Sequence, residues 1–337
     1  MKNLLLACVS TALLFLAAAC DKNPAGGSPR NGSGKIKIGF LVKQPEEPWF
    51  QTEWKFAQKA ADENGFDLVK IATTDGEKVL AAIDNLAAQG VQGFVICTPD
   101  VRLGPAIAAK ATQAGMKFMT VDDQFLGPDG KIMTDVHHLG MSPSDIGHQA
   151  GEVSLAEMKK RGWPIEETAV CVSSFDELDT AKQRTDGAQK ALADGGFPKN
   201  KTYNAPNKTT DLPGSFDAVN ICLTQHPEVK HWIIVGMNDN SVLGGVRATE
   251  GRGFKAPDVI GVGINGTDCH SEFQKPEPTG FFGSLLLSPN KHGYETALLV
   301  YHWVKDGVEP PKETLIKSAT LINRDNWQEE LKKQGML

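Results

Sequence analysis

The chain lacks any concentration of positive charge. Lys and Arg number 35 against 41 Asp and Glu, a net charge of −6, and no segment gathers basic residues into a stripe. A nucleic-acid partner is therefore not expected, because phosphate neutralisation needs clustered Lys and Arg. Aromatic residues are scarce at 7%, whereas glycine occupies 34 positions, a balance that suits helices packed closely on sheets. The six cysteines include no C-x-x-C pair. Cys97, Cys171, Cys222 and Cys269 are widely spaced, and Cys97 and Cys171 sit in or at the end of apolar runs as small hydrophobes would. Neither a zinc site nor any other metal centre is expected from that spacing. Catalytic signatures are missing as well: there is no G-x-S-x-G, no H-E-x-x-H and no phosphate-binding loop. One pattern imitates a cofactor motif. Gly261-Val262-Gly263-Ile264-Asn265-Gly266 fits G-x-G-x-x-G, but the region about twenty residues on, Phe281–Leu287, contains no acid to hold a ribose. No cofactor is expected.

What is present begins with an apolar run from Leu4 to Ala19, preceded by Lys2 and ending in Ala17-Ala18-Ala19 just before Cys20. This pattern predicts an export signal over residues 1–19, too short to count as a spanning helix of the mature protein. Small residues ahead of Cys20 resemble a bacterial lipoprotein box, in which Cys20 becomes the lipidated N-terminus. Leu16 lies one position further upstream than the usual pattern, and plain cleavage after Ala19 is the alternative. Residues 20–34, rich in Gly, Ser, Pro and Asn, predict a flexible tether.

The remaining length suits two lobes of roughly 130–150 residues. Strand-like runs at Lys35–Val42, Phe66–Ile71, Gly93–Cys97 and Lys117–Asp122 alternate with helical patterns near Glu53–Asn64, after Asp75, and near Pro105–Gln113. The alternation then repeats, with strands at Thr168–Ser173, Thr202–Asn204, His231–Val235 and Asp258–Ile264. Helices between them centre near Lys182–Ala193, Phe216–Gln225 and Val242–Thr249. Such βαβ repetition requires parallel sheets covered on both faces by right-handed crossovers. The predicted class is α/β, with two doubly wound lobes and a cleft between them. Ligands of such sheets bind outside the carboxyl ends of the strands, and polar residues collect there.

After the first strand come Lys43, Glu47, Trp49 and Phe50, with Pro45 and Pro48 predicting a stiff loop. An aromatic beside charged groups can stack the apolar face of a sugar ring while the charges meet its hydroxyls; exposed charges around a core tryptophan would look the same. After the fourth strand, Asp122 and Asp123 are adjacent carboxylates that need a partner or a task. Arg184 lies one helical turn after Asp179-Thr180, where its fork could reach two oxygens. Met237-Asn238 and Asn265 through Asp268 follow later strands. An Asn amide both donates and accepts, which matches a hydroxyl, although each Asn alone reads as a helix cap or turn. His137 and His138 read as a solvated pair.

The segments FLVKQPEEPWFQTEWKFA, GFVICTPD, TVDDQF, ELDTAKQRT, HPEVKHWIIVGMND, VLGGVRATEG and GINGTD resemble the periplasmic sugar-binding proteins of bacterial uptake systems, in the L-arabinose-binding branch of the pentose/hexose class. The likeness runs from residue 35 to the end. It implies two lobes joined by a three-segment hinge, periplasmic binding protein type I: residues 35–141 plus 288–316, and 142–287 plus 317–337. It also implies direct sugar contacts by Lys43, Glu47, Asp123, Arg184, Asn238 and Asn265, aromatic contacts by Trp49 and Phe50, and indirect contacts by Asp122 and Asp268. Met141, Leu178, Thr180, Met237 and Cys97 would line the pocket. The implied ligand is a monosaccharide, L-arabinose first, with D-galactose or D-fucose as alternatives. The implied partner is an ABC permease and its ATPase, reached from the periplasm or cell envelope by a monomer whose membrane contact is its N-terminal lipid. Enzymatic activity is not expected. The alternative is a sugar sensor for a chemoreceptor or histidine kinase. Two departures stand out: Leu287 occupies a place where the family has Pro, and His137-His138 replaces an apolar pattern near the first lobe crossing.

Overall fold

The computed structural model describes residues 34–337; the expected export signal, Cys20 and nearly all of the tether lie outside them. Two six-stranded sheets carry the fold. The first is built from β1 (Lys37–Val42), β2 (Asp67–Ala72), β3 (Gly93–Ile96), β4 (Lys117–Val121) and β5 (His137–Met141). Its helices are α1 (Pro48–Asn64), α2 (Gly76–Ala88) and α3 (Gly104–Ala114). The chain then crosses through α4 (Pro143–Arg161) into the second sheet, with β6 (Thr168–Ser174), β7 (Thr202–Pro206), β8 (His231–Gly236), β9 (Val259–Asn265) and β10 (Phe281–Leu286). Helices α5 (Asp179–Asp194), α6 (Leu212–Gln225), α7 (Asp239–Gly251) and the short α8 (His270–Phe273) connect them. A return through α9 (Pro289–Asp306) reaches β11 (Glu313–Ile316), and a third crossing reaches β12 (Thr320–Ile322) and α10 (Trp327–Lys333).

The strand orders are β11-β5-β4-β3-β1-β2 and β12-β10-β9-β8-β6-β7, so the second half repeats the first strand for strand. All pairings are parallel except β10 with β12. Central strands are buried along almost their whole length, as Ile38, Phe40, Val95 and Ile96 illustrate in one sheet and Val170, Ile233, Ile234 and Val262 in the other. Sheets covered on both faces lose the polar alternation of half-exposed strands, which is why GFVIC and HWIIV read as continuous apolar runs. Helix ends follow the sequence closely in places. The Asp75 side chain accepts from the Lys78 N–H and caps α2, and Gly90 follows that helix at φ +70°.

Three features differ from the sequence reading. Helix α1 starts at Pro48, not near Glu53, because proline at the first helical position offers a preset φ and lacks only an N–H that would have no partner anyway. The same device opens α4 at Pro143 and α9 at Pro289, two helices the periodicity did not reveal. Finally, His137 and His138 are not solvated: each is only 3% exposed, within β5. Both His137 ring nitrogens and His138 Nδ1 have polar partners, which offsets the cost of burial. His137 pairs with Glu309 at 2.9 Å and lies 3.0 Å from the Pro311 carbonyl, while His138 Nδ1 lies 2.9 Å from the Thr120 hydroxyl.

Candidate functional site

The carboxyl ends of both sheets face one another across a cavity of about 80 Å³. From the first sheet come Lys43 after β1, Glu47 at the α1 N-cap, Trp49 and Phe50 in its first turn, Asp122 and Asp123 after β4, and Met141 at the end of β5. The second supplies Leu178, Thr180 and Arg184 around the start of α5, Met237 and Asn238 after β8, and Asn265 at the end of β9. Two residues expected at the site stand outside the wall. Cys97 lies behind Asp123, its sulfur 3.7 Å from Oδ2. Asp268 sits further back, where its N–H donates to Asp239 at 3.2 Å and its carboxylate accepts from Thr267 at 2.9 Å. The wall also includes Gln44, Ala181 and Thr210, which sequence reasoning missed. Gln44 lay inside the motif already singled out. Thr210 lies in the loop after β7.

Charge is arranged in opposed pairs. Lys43 forms a close ion pair with Asp123, and the Thr180 hydroxyl donates to the other Asp123 oxygen at 2.7 Å. The second bond joins the two sheets directly. Burial pulls the Lys43 ammonium down, but the Asp123 charge outweighs it and leaves Lys43 above its ordinary value. Burial likewise pushes Asp123 up, and Lys43 more than reverses it, so Asp123 stays ionised. Asp122 accepts from the Trp49 indole at 3.0 Å and from His292 Nδ1 at 2.7 Å. Those donors overcome its burial and hold it down at about 2.

Arg184 spans the cleft. Nη1 donates to the Met237 carbonyl at 2.7 Å and Nη2 approaches the Met141 sulfur at 3.0 Å, while Nε is buried with no protein partner. An unpaired buried N–H is costly, so this donor is available to a ligand oxygen. Glu47 accepts from the Gln44 amide at 2.9 Å. Burial first, and then the charge of Asp268, push it up to about 7. Asn238 serves two purposes: its carbonyl caps α7 through the Ser241 N–H at 2.8 Å, and its amide faces the Thr210 carbonyl at 3.3 Å. Asn265 adopts φ +116°, a region most side chains avoid, and its carbonyl accepts from Leu287 N–H at 3.1 Å. Proline at 287 would have no such donor.

One atom each from Glu53, Asp122 and His292 lies within 4.8 Å of the other two. The Asp122 oxygens are already engaged by Trp49 and His292, whereas Glu53 stands beside them behind the wall. The G-x-G-x-x-G segment forms strand β9 and the turn after it, with Gly261 and Gly263 inside the strand.

Paired doubly wound sheets with a small polar cavity between their carboxyl ends define a bilobal cleft protein that encloses a compact polar ligand. The family model described as "Periplasmic binding proteins and sugar binding domain of LacI family" matches residues 35–330, and the chain belongs to that family. It is 57% identical over 301 residues to the L-arabinose-binding periplasmic protein of Escherichia coli (strain K12), covering 89% of this chain and 92% of that one. It is 50% identical over 315 residues to the ABC transporter L-arabinose-binding periplasmic protein of Azospirillum brasilense, covering 93% and 94%. The fold matches an arabinose-transporter binding protein of Shewanella sp. ANA-3 bound to α- and β-L-arabinofuranose, with TM-score 0.70, 16% identity and 89% and 95% of the two chains covered. These relatives are solute-binding proteins.

Proposed function

We propose that this chain binds L-arabinose in a closing cleft and hands it to an ABC-type importer, with D-galactose or D-fucose as alternative ligands. The observation that carries the reading is the convergence of Lys43, Glu47, Asp123, Arg184, Asn238 and Asn265 on one cavity. Together they offer charged donors, charged acceptors and amides to a molecule covered with hydroxyls, and Trp49 and Phe50 offer apolar faces. A sugar touching both lobes favours the closed arrangement through contacts the open one cannot make. The two arabinose-binding relatives support this ligand in preference to other pentoses.

Asp123 acts as a hydroxyl acceptor. It is already engaged by Lys43 and Thr180, so it is not a free base for glycoside cleavage, and nitrophenyl glycosides are expected to stay intact. The lobes are assigned as residues 35–141 plus 288–316 and 142–287 plus 317–337. The protein acts as a monomer in the periplasm, tethered through lipid on Cys20; loss of membrane association in Cys20→Ala tests the tether.

Tryptophan fluorescence of tether-free protein titrated with L-arabinose, D-galactose, D-ribose and D-glucose tests the ligand. Saturable binding led by L-arabinose is expected. No heat or fluorescence change with any of the four would leave the fold intact and remove the ligand.

A further inference from the structure

Behind the cavity wall, Glu53 stands in a place that sugar contact does not explain. It lies four residues after Trp49 on α1, so both side chains leave the same face of that helix. Glu53 is fully buried, no N–H or O–H donor of another residue reaches either carboxyl oxygen, and its hydrogen-bonding neighbour is the Asp122 carboxylate, itself an acceptor. His292 Nδ1 is 3.8 Å from Oε1, too far to bond, and instead bonds Asp122 at 2.7 Å. The His292 ring stands edge-on to Trp49 with centroids 5.4 Å apart. The Glu53 backbone is held tightly against α9. Helices α1 and α9 meet so closely that a Cβ on Gly293 would collide with the Glu53 carbonyl oxygen.

A charged carboxylate without partners is not sustained in such a place. Several groups face the cluster: Lys43 from the end of β1, Cys97 from β3, Asp122 and Asp123 from β4, and His292 from α9, with His138 of β5 beyond Asp122. Lys43 is committed to Asp123. Burial and then the charge of Asp122 hold the Glu53 proton well above the ordinary carboxylate range.

We propose that Glu53 is a positioning residue of the binding site: as a neutral acid it leaves Asp122 as the cluster's one carboxylate charge, and thereby keeps the His292–Asp122–Trp49 chain and the aromatic wall in place. This rests on reading the cavity as a sugar site. Ionised Glu53 would repel Asp122 and compete for the His292 N–H, so Asp122 would lose a donor and Trp49 its anchor. Lys43 and Cys97 also lie nearby and remain in a Glu53→Gln variant; the Cys97 thiol, which the Glu53 charge helps to push up, moves with Glu53 rather than against it.

The test is L-arabinose calorimetry on wild type and Glu53→Gln across the alkaline range. Wild-type affinity is expected to fall by roughly tenfold as pH rises through the alkaline range. The variant, neutral and of nearly the same shape, is expected to match wild type within about threefold at neutral pH and to lose most of the alkaline fall. Parallel pH profiles, or a variant more than about tenfold weaker at neutral pH, would overturn the proposal. Carboxyl-carbon NMR of the unmodified protein requires no variant. One glutamate carboxyl that stays protonated after Glu47 has ionised is expected, and none would overturn the proposal. That measurement stands even if no sugar binds, so failure of the ligand reading and failure of the Glu53 proposal remain distinguishable.

Discussion

Replacing Thr180 by Val isolates the bond that joins the two sheets at the cavity. Valine keeps the branched shape of threonine and removes only the hydroxyl that donates to Asp123 at 2.7 Å. A hydrogen bond to a charged group contributes about 1.5–3 kcal/mol. At 1.4 kcal/mol per factor of ten, its loss weakens sugar binding by about ten- to a hundredfold. Water reaching the vacated Asp123 oxygen would move the effect to the low end of that range. The fold itself should be barely affected. Asp123 follows β4 and Thr180 sits in α5, so the bond crosses the cleft and is expected to break when the cleft opens. Calorimetric titration with L-arabinose should therefore show the loss in affinity, while the sugar-free melting temperature stays within a degree or two of wild type. Affinity within about twofold of wild type would show that the bond contributes nothing to closure. A large fall in the sugar-free melting temperature would show that it supports the fold and is not a latch.

Lys43→Met leaves Asp123, 5% exposed in its side chain, as a buried carboxylate without its cation; we expect about 3–5 kcal/mol of destabilisation, read as a lower melting temperature, together with loss of measurable sugar binding. Glu47 and Asp239 are each pushed up to about 7 by burial and then by the charge of Asp268, so the folded chain holds protons that the unfolded chain releases near its ordinary values of 4.5 and 3.8. That contribution is complete at low pH and is lost as pH rises through 7; thermal melts of sugar-free protein should show stability falling over that window, with a shallower slope in Glu47→Gln, and a rising slope would refute the argument.

Those expectations draw on parts of the molecule that were unequally legible in the sequence. Buried parallel strands such as GFVIC and HWIIV announced themselves, because two covered faces demand unbroken apolar runs. Strand β5 did not, since His137 and His138 disguise it, and their burial depends on Glu309, Pro311 and Thr120, none of them adjacent in sequence. Read as stiffening a loop, Pro48 concealed the start of α1; Pro143 and Pro289, which open α4 and α9 in the same way, were not used as start signals. At the site, the rule that ligands lie beyond strand ends located Lys43, Asp122, Asp123, Asn238 and Asn265 from local pattern. The family likeness supplied the roles of Met141 and Leu178, which no local signal distinguishes from core. Glu53 and His292 had no signal at all. His292 meets Asp122 across 170 positions of chain, a closeness that only the packing of α9 on α1 creates.

The same repetition that doubles the sheet also doubles the strain. Among the described residues, Asp122 at φ +63° and Asn265 at φ +116° are the non-glycine positions in left-handed backbone. One follows β4 and the other ends β9, each the third strand from the β11 or β12 edge of its sheet. Conformations of this kind cost about 1–3 kcal/mol each and persist where surrounding bonds enforce them. Here Asp122 N–H bonds the Leu139 carbonyl at 3.2 Å, and the Asn265 carbonyl accepts from Leu287. Glycine would relieve the strain, so retaining a side chain at both stations suggests that each is needed in the cleft. Asn265→Gly separates the two effects. Relief of strain, less about 0.5–1 kcal/mol for glycine's greater freedom when unfolded, should leave melting temperature unchanged or a few degrees higher. Loss of the amide should weaken sugar binding by about two- to tenfold for each hydrogen bond it makes. A variant that melts lower yet binds as well as wild type would mean that Asn265 is there for the turn and not for the ligand.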